Sequence, residues 1–189
     1  MRFSDGSTLR LYRQTLEDFA LYNGQEFTVE EYSALKTAAS RMSAKMRAVR
    51  TVAASSVSKA ELERRLIHKG EDPDHAKDAV LWMQDLHLID DKETAKQIVN
   101  RCISKGYGKE RAKQALYEKR IPKAYWDEVL VEYPDQTDRL LEFLENKLGA
   151  SRDRKEVRKA TDALMRRGFT YSQIRQALHA LDITDVMEG

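Results

Sequence analysis

Along most of this chain the apolar residues return every three or four positions, the spacing that turns one face of a helix toward a core. Leu16 to Tyr22 reads as a short helix stopped at Asn23-Gly24. Thr28-Val-Glu-Glu31 is a capping box that opens a long helix running to about Ala53, where Ser55-Ser56 breaks it. Only the opening segment departs from this period. In "MRFSDGSTLRLYR" the pair Asp5-Gly6 suits a type I′ turn, and Leu9 and Leu11 alternate with polar neighbours, so a β-hairpin is expected there.

From Ser58 a longer pattern recurs. Ser58 and Glu61 form a capping box ahead of Leu62 and Leu66, and Gly70 ends that helix. Asp72-Pro73 starts a second helix carrying Ala76, Ala79, Val80 and Met83 on one stripe. A third follows Ile89-Asp90-Asp91, with Ala95, Ile98, Val99 and Cys102 inward, until Gly106 stops it. Leu66, Leu116 and Leu164 lie at matching places before Gly70, Arg120 and Gly168, and Ala79-Val80, Val129-Leu130 and Ala177-Leu178 at matching places after them. These offsets of about 50 and 48 residues imply tandem helical units, each too small to close its own core and therefore stacked on a neighbour. The expected organisation is all-α: a hairpin and long basic helix over 1–57, then three-helix repeats over 58–106, 107–149 and 150–189.

Composition agrees with helix. Charged residues make up 34% of the 189, there are 3 prolines, and the mean hydropathy is -0.67. No window approaches a membrane span and the N-terminus lacks the apolar region of a secretory signal, so the cytoplasm and no membrane partner are expected. The single Cys102 sits among Ile98, Val99 and Ile103 as a small buried hydrophobe. No catalytic constellation is legible. His68, His75, His87 and His179 lack metal-ligand spacing, and there is neither a phosphate-binding GxxxxGK loop nor a GxSxG elbow. The chain is therefore expected to be no enzyme and to need no cofactor or metal. Asp90-Asp91 is the one tight carboxylate pair, and it reads as a helix-opening turn.

Charge changes the picture once it is divided along the chain. The net value is only +2. Yet no acid occurs between Glu31 and Glu61, and residues 150 to 180 carry Arg152, Arg154, Lys155, Arg158, Lys159, Arg166, Arg167 and Arg175 against Asp153, Glu156 and Asp162. Residues 71 to 93 run the other way, with acids from Glu71 to Glu93. A partner carrying both signs, or nucleic acid together with protein, fits this better than nucleic acid alone. The candidate contact residues are Tyr107, Lys109, Arg111, Lys113, Lys119 and Arg120 around one helix, and Arg154, Arg158 and Arg166 on another. Tyr107, between Gly106 and Gly108, either wedges between helices or stacks on a base. The two glycines, taken to need positive φ or close approach, are expected to set the angle between the first and second repeats.

The stretch "IDDKETAKQIVNRCISKGYGKERAKQALYEKRI", residues 89 to 121, resembles the second-repeat core of the RecX regulatory proteins. Asp90, Asp91, Ala95, Val99, Gly106, Tyr107, Gly108, Arg111, Leu116, Lys119 and Ile121 fall on that pattern, and "SKAELERRLIHKG", residues 58 to 70, looks like the first repeat. Thr94, Ile98, Ala112, Ala115 and Arg120 depart from it, as a divergent member would. The resemblance implies an elongated, curved, three-repeat helical molecule. It also implies a monomer that binds the RecA protein and the RecA-DNA filament, with at most weak direct DNA binding, and restrains strand exchange, ATP hydrolysis and the SOS response. The rival readings are a helix-turn-helix nucleic-acid binder around Gly106 to Tyr125, whose second helix offers only Lys123 at its start, and a helical scaffold for another protein.

Overall fold

The computed structural model describes residues 1–149, 151 and 153–183. Two compact bodies divide after Asp90. The first holds α1 (Arg13–Asp18), α2 (Val29–Ala54), α3 (Lys59–His68) and α4 (Pro73–Asp85). The second holds α5 (Asp91–Ser104), α6 (Lys109–Glu118), a 3-10 turn (Lys123–Tyr125) running into α7 (Trp126–Leu130), α8 (Thr137–Leu148), α9 (Arg154–Arg166) and α10 (Tyr171–Ala180). Among the described residues no helix is long and apolar enough to cross a membrane.

The expected N-terminal β-hairpin does not form: the described residues contain helices and no strand. A single antiparallel bridge joins Arg2 to Thr8, and the Asp5 carboxylate accepts from the Ser7 amide at 2.8 Å, closing a local loop in place of a ladder. Gly6 takes φ 83 but Asp5 does not share the positive φ that a type I′ turn requires at both central residues. Phe3 then stacks edge-on against Phe27 and Tyr32, at 6.3 and 5.2 Å between centroids, so aromatic contact joins the few backbone bonds of the bridge, such as the Phe3 amide to the Ser7 carbonyl at 2.9 Å, in holding a segment too short to be a strand pair. The short helix also falls earlier than its apolar pattern suggested, because Ala20 turns left-handed at φ 47.

Thr28 caps α2 as expected: its hydroxyl accepts from the Glu31 amide and the Glu31 carboxylate accepts from the Thr28 amide. Three separate buried clusters then group the remaining helices. Ala44, Ala48, Leu62, Leu66, Ala79 and Met83 join α2, α3 and α4. Ala95, Val99, Cys102, Ala112, Leu116 and Leu130 join α5, α6 and α7. Leu140, Leu144, Val157, Leu164, Ile174 and Leu178 join α8, α9 and α10.

Each unit thus begins one helix earlier than the sequence division, which had put α5 with α3 and α4. The register is nonetheless the one expected. Leu66, Leu116 and Leu164 are fully buried in the middle helix of each unit. Their carbonyls accept from the amides of Glu71, Ile121 and Phe169 at 3.1, 3.0 and 3.2 Å, closing three equivalent helix ends around left-handed Gly70, Arg120 and Gly168. A period sets the spacing of units but not where a unit starts. Arg120 takes φ 56 where the other two units have glycine.

Candidate functional site

The basic helix α6 is built from its turn outward. Gly106 ends α5 at φ 63, and a Cβ there would stand 3.4 Å from Arg139 Cγ of α8. Gly108 is different. It caps α6 in extended conformation, φ -73, so any residue could adopt its backbone. What demands glycine is contact: a Cβ on Gly108 would collide with the Gly168 carbonyl, and one on Gly168 would collide with the Arg111 backbone. The Gly108 amide donates to the Arg167 carbonyl at 2.9 Å, and the Glu110 amide to the Gly168 carbonyl at 3.3 Å. The Gly106-Tyr107-Gly108 turn therefore lies inside the middle three-helix unit and docks on the α9–α10 turn of the next. The turn was expected to set the angle between the first and second repeats and instead joins the middle unit to the last, while the positive φ or close approach expected of its glycines is present, the first at Gly106 and the second at Gly108. Gly168 was not singled out as a contact residue. Nothing in the sequence pairs it with Gly108.

Tyr107 is half-buried against the middle core, and its carbonyl accepts from the Tyr133 hydroxyl at 2.7 Å. Burial of Tyr133 pushes its phenol up to about 12. Cys102 is buried in the same cluster, and burial raises its thiol pKa. Asp91 is the buried first residue of α5 and Asp90 stands exposed just before it, where a carboxylate suits a helix N-terminus.

At the start of α6 Lys109 is exposed, and just past its end Lys119 and Arg120 are exposed too. Arg111 pairs with Glu118 at 3.1 Å and Lys113 with Glu110 at 2.7 Å, so two of the expected contact cations are already engaged along their own helix. The hydrogen bond from Arg111, seconded by Gln114, lowers the Glu118 carboxyl pKa. On α9 the stripe Val157, Ala160, Thr161 and Leu164 is buried, which leaves Arg154, Lys155, Arg158, Lys159 and Arg166 exposed. Asp153 opens that helix, accepting from the amides of Lys155 and Glu156 at 2.8 and 3.1 Å. Arg152 lies outside the described residues. Among the described residues no three His, Cys, Asp or Glu side chains gather as a metal would need.

Comparison with known proteins matches these units. Residues 90–130 match the family model of the RecX second three-helix domain, and 134–178 that of the third, ranges that coincide with the middle and last cores. Regulatory protein RecX of Xanthomonas axonopodis pv. citri is 30% identical over 123 residues, 64% of this chain and 76% of that protein. The chain belongs to the RecX family. Regulatory protein RecX of Vibrio campbellii is 28% identical over 76% of this chain and 94% of its own length, and that of Halorhodospira halophila 29% over 73% and 88%. Two solved RecX structures share the fold. A regulatory protein RecX superposes with TM-score 0.68 at 19% identity, covering 88% of this chain and 86% of that one. RecX from Lactobacillus salivarius gives 0.63 at 23%, covering 77% and 99%.

Proposed function

We propose that this RecX-family chain is a non-enzymatic regulator that binds the RecA-DNA filament and restrains recombination, ATP hydrolysis and the SOS response. Family membership carries the reading, and the display of cations on α6 and α9 supports it. Arg154, Arg158 and Arg166 stand exposed on one helix and Lys109, Lys119 and Arg120 at the two ends of another, with Arg111 and Lys113 able to exchange their intrahelical partners for acidic groups of a filament. Tyr107 serves as a wedge in the middle core, in keeping with its half-buried ring. The helix-turn-helix alternative is weaker, because the helix after the turn is only the five residues Trp126–Leu130 behind a 3-10 turn.

The test is RecA ATPase on single-stranded DNA, measured with and without the purified chain. A dose-dependent fall in ATP turnover is expected, with no ATPase from the chain alone. Unchanged RecA turnover at saturating chain would remove the reading.

A further inference from the structure

A cleft of about 240 Å³ opens where the end of α5 faces α8 and the end of α9, lined by Lys105, Gly106, Arg139, Glu142, Phe143 and Arg167 among others. Three cations from three segments line it beside one carboxylate, and the Lys105 ammonium lies 6.0 Å from the Tyr107 ring centroid. The Arg167 guanidinium lies 4.3 Å over the Phe143 ring centroid, and Arg139 reaches Glu142 at 3.3 Å. Both arginines have fixed backing. The Arg139 stem lies against Gly106, where a Cβ would meet its Cγ, Cβ and Cδ at 3.4 to 3.6 Å, and the Arg167 backbone is held by the Gly108 amide at 2.9 Å. None of the three cations was singled out as a contact residue, because in sequence Lys105, Arg139 and Arg167 are unrelated.

We propose that this cleft binds one phosphate group of a nucleic-acid strand. Excess positive charge in a concave site with an aromatic wall concentrates the field on an anion. Guanidinium forks suit phosphate oxygens, and a tetrahedral group offers an oxygen to each of three donors placed on different sides, whereas a planar carboxylate has only two. The Phe143 face is covered by Arg167, so the ring is not available to stack a base. The contact is with the backbone and carries no sequence preference. It requires no recombinase, so it stands or falls apart from the filament reading.

The experiment uses the full chain and a fluorescein-labelled single-stranded oligothymidylate, with binding followed by anisotropy across a salt series. Lys105→Gln with Arg139→Gln weakens binding about tenfold, as expected for charge-assisted hydrogen bonds. It also lowers the salt slope by about 0.7, one phosphate's share on a single strand. Glu142→Gln acts in the opposite direction and tightens binding, which a folding defect would not do. An oligoadenylate behaves like the oligothymidylate. Inorganic phosphate displaces the strand from the parent more effectively than chloride at equal ionic strength, and this advantage is lost in the double variant. Unchanged strand affinity and slope in the double variant overturn the proposal, as does inorganic phosphate occupying the cleft without competing with the strand. An equal loss for a glutamate-rich peptide of the same charge overturns it as well, since the cleft would then be a general anion site.

Discussion

The Gly108 amide donates to the Arg167 carbonyl at 2.9 Å, and the carbon that carries no side chain behind it sits against the Gly168 peptide. Two glycine turns far apart in sequence thus meet backbone to backbone. Gly108→Ala is expected to cost about 1 to 3 kcal/mol, all of it from collision, since its φ of -73 suits any residue. Gly168→Ala adds about 1 kcal/mol or more for a left-handed backbone at φ 85. Gly106→Ala has the strained φ but only ordinary contact with Arg139, so about 1 kcal/mol is expected. Urea unfolding orders the three. A neutral Gly108→Ala would show that the junction gives way freely.

Much of this was legible, and the reason for each gap is local. The capping box at Thr28 and the buried leucines at 66, 116 and 164 were readable because helix periodicity and capping are sequence-local signals. The phase of the units was not, since α5 carries a stripe that could face either neighbour until Leu116, Ile121 and Leu130 close over it. The hairpin failed because a single Asp-Gly pair favours several turns, and the Ser7 amide bonding to Asp5 selected another. Among the candidate contacts, exposure of the α9 cations followed from its stripe, whereas the Gly108–Gly168 contact and the pairing of Arg111 with Glu118 are visible only in three dimensions.

Charge reversal on the two basic helices is expected to have unequal effects. Arg158 and Arg166 to glutamate should weaken filament binding more than Arg111 and Lys113 to glutamate, because Arg111 and Lys113 are partly neutralised by Glu118 and Glu110. Exposed pairs of that kind contribute only about 0.2 to 1 kcal/mol to stability, so both variants should fold. Filament affinity across a salt series checks this, each lost phosphate contact lowering the slope by about 0.7 to 0.9. Wild-type affinity in both variants would dismiss these faces as contact surfaces.

Cys102 should react slowly with a thiol reagent in the native protein and fast in denaturant. It is buried, and burial raises its pKa, so the thiolate is scarce as well as hidden. Rapid native labelling would mean that the middle core opens easily.

Glu61 gives the acid limb of stability. Its buried carboxylate accepts from Arg64 at 2.9 Å and Arg65 at 2.7 Å, and the Arg64 hydrogen bond chiefly, with Arg65 behind it, lowers its pKa from 4.5 to about 2. Since the folded pKa is the lower one, the contribution is complete above about 4.5 and is lost as pH falls from there through about 2. Glu61→Gln should therefore be less stable than the parent at neutral pH, with the gap closing toward pH 2. A gap that stays constant over this range would assign the effect to packing.

Tyr133 gives the opposite limb. Its hydroxyl donates to the Tyr107 carbonyl at 2.7 Å, tying the end of the α7 segment to the glycine turn, and burial holds the phenol neutral up to about 12 against an ordinary value of 10.0. The raised folded pKa means that this contribution is present below pH 10.0 and disappears as pH rises through about 12. Tyr133→Phe removes the donor without opening a large cavity and should cost about 1 kcal/mol at neutral pH, the usual worth of one such bond. The parent should then lose stability relative to the variant across the alkaline range, since phenylalanine has no proton to lose. Unfolding midpoints at several alkaline pH values read the difference directly, and the ultraviolet tyrosinate band of the parent should show one of its 8 tyrosines ionising late. If parent and variant keep the same separation from neutral pH to the alkaline limit, the hydroxyl is not held by the Tyr107 carbonyl in solution.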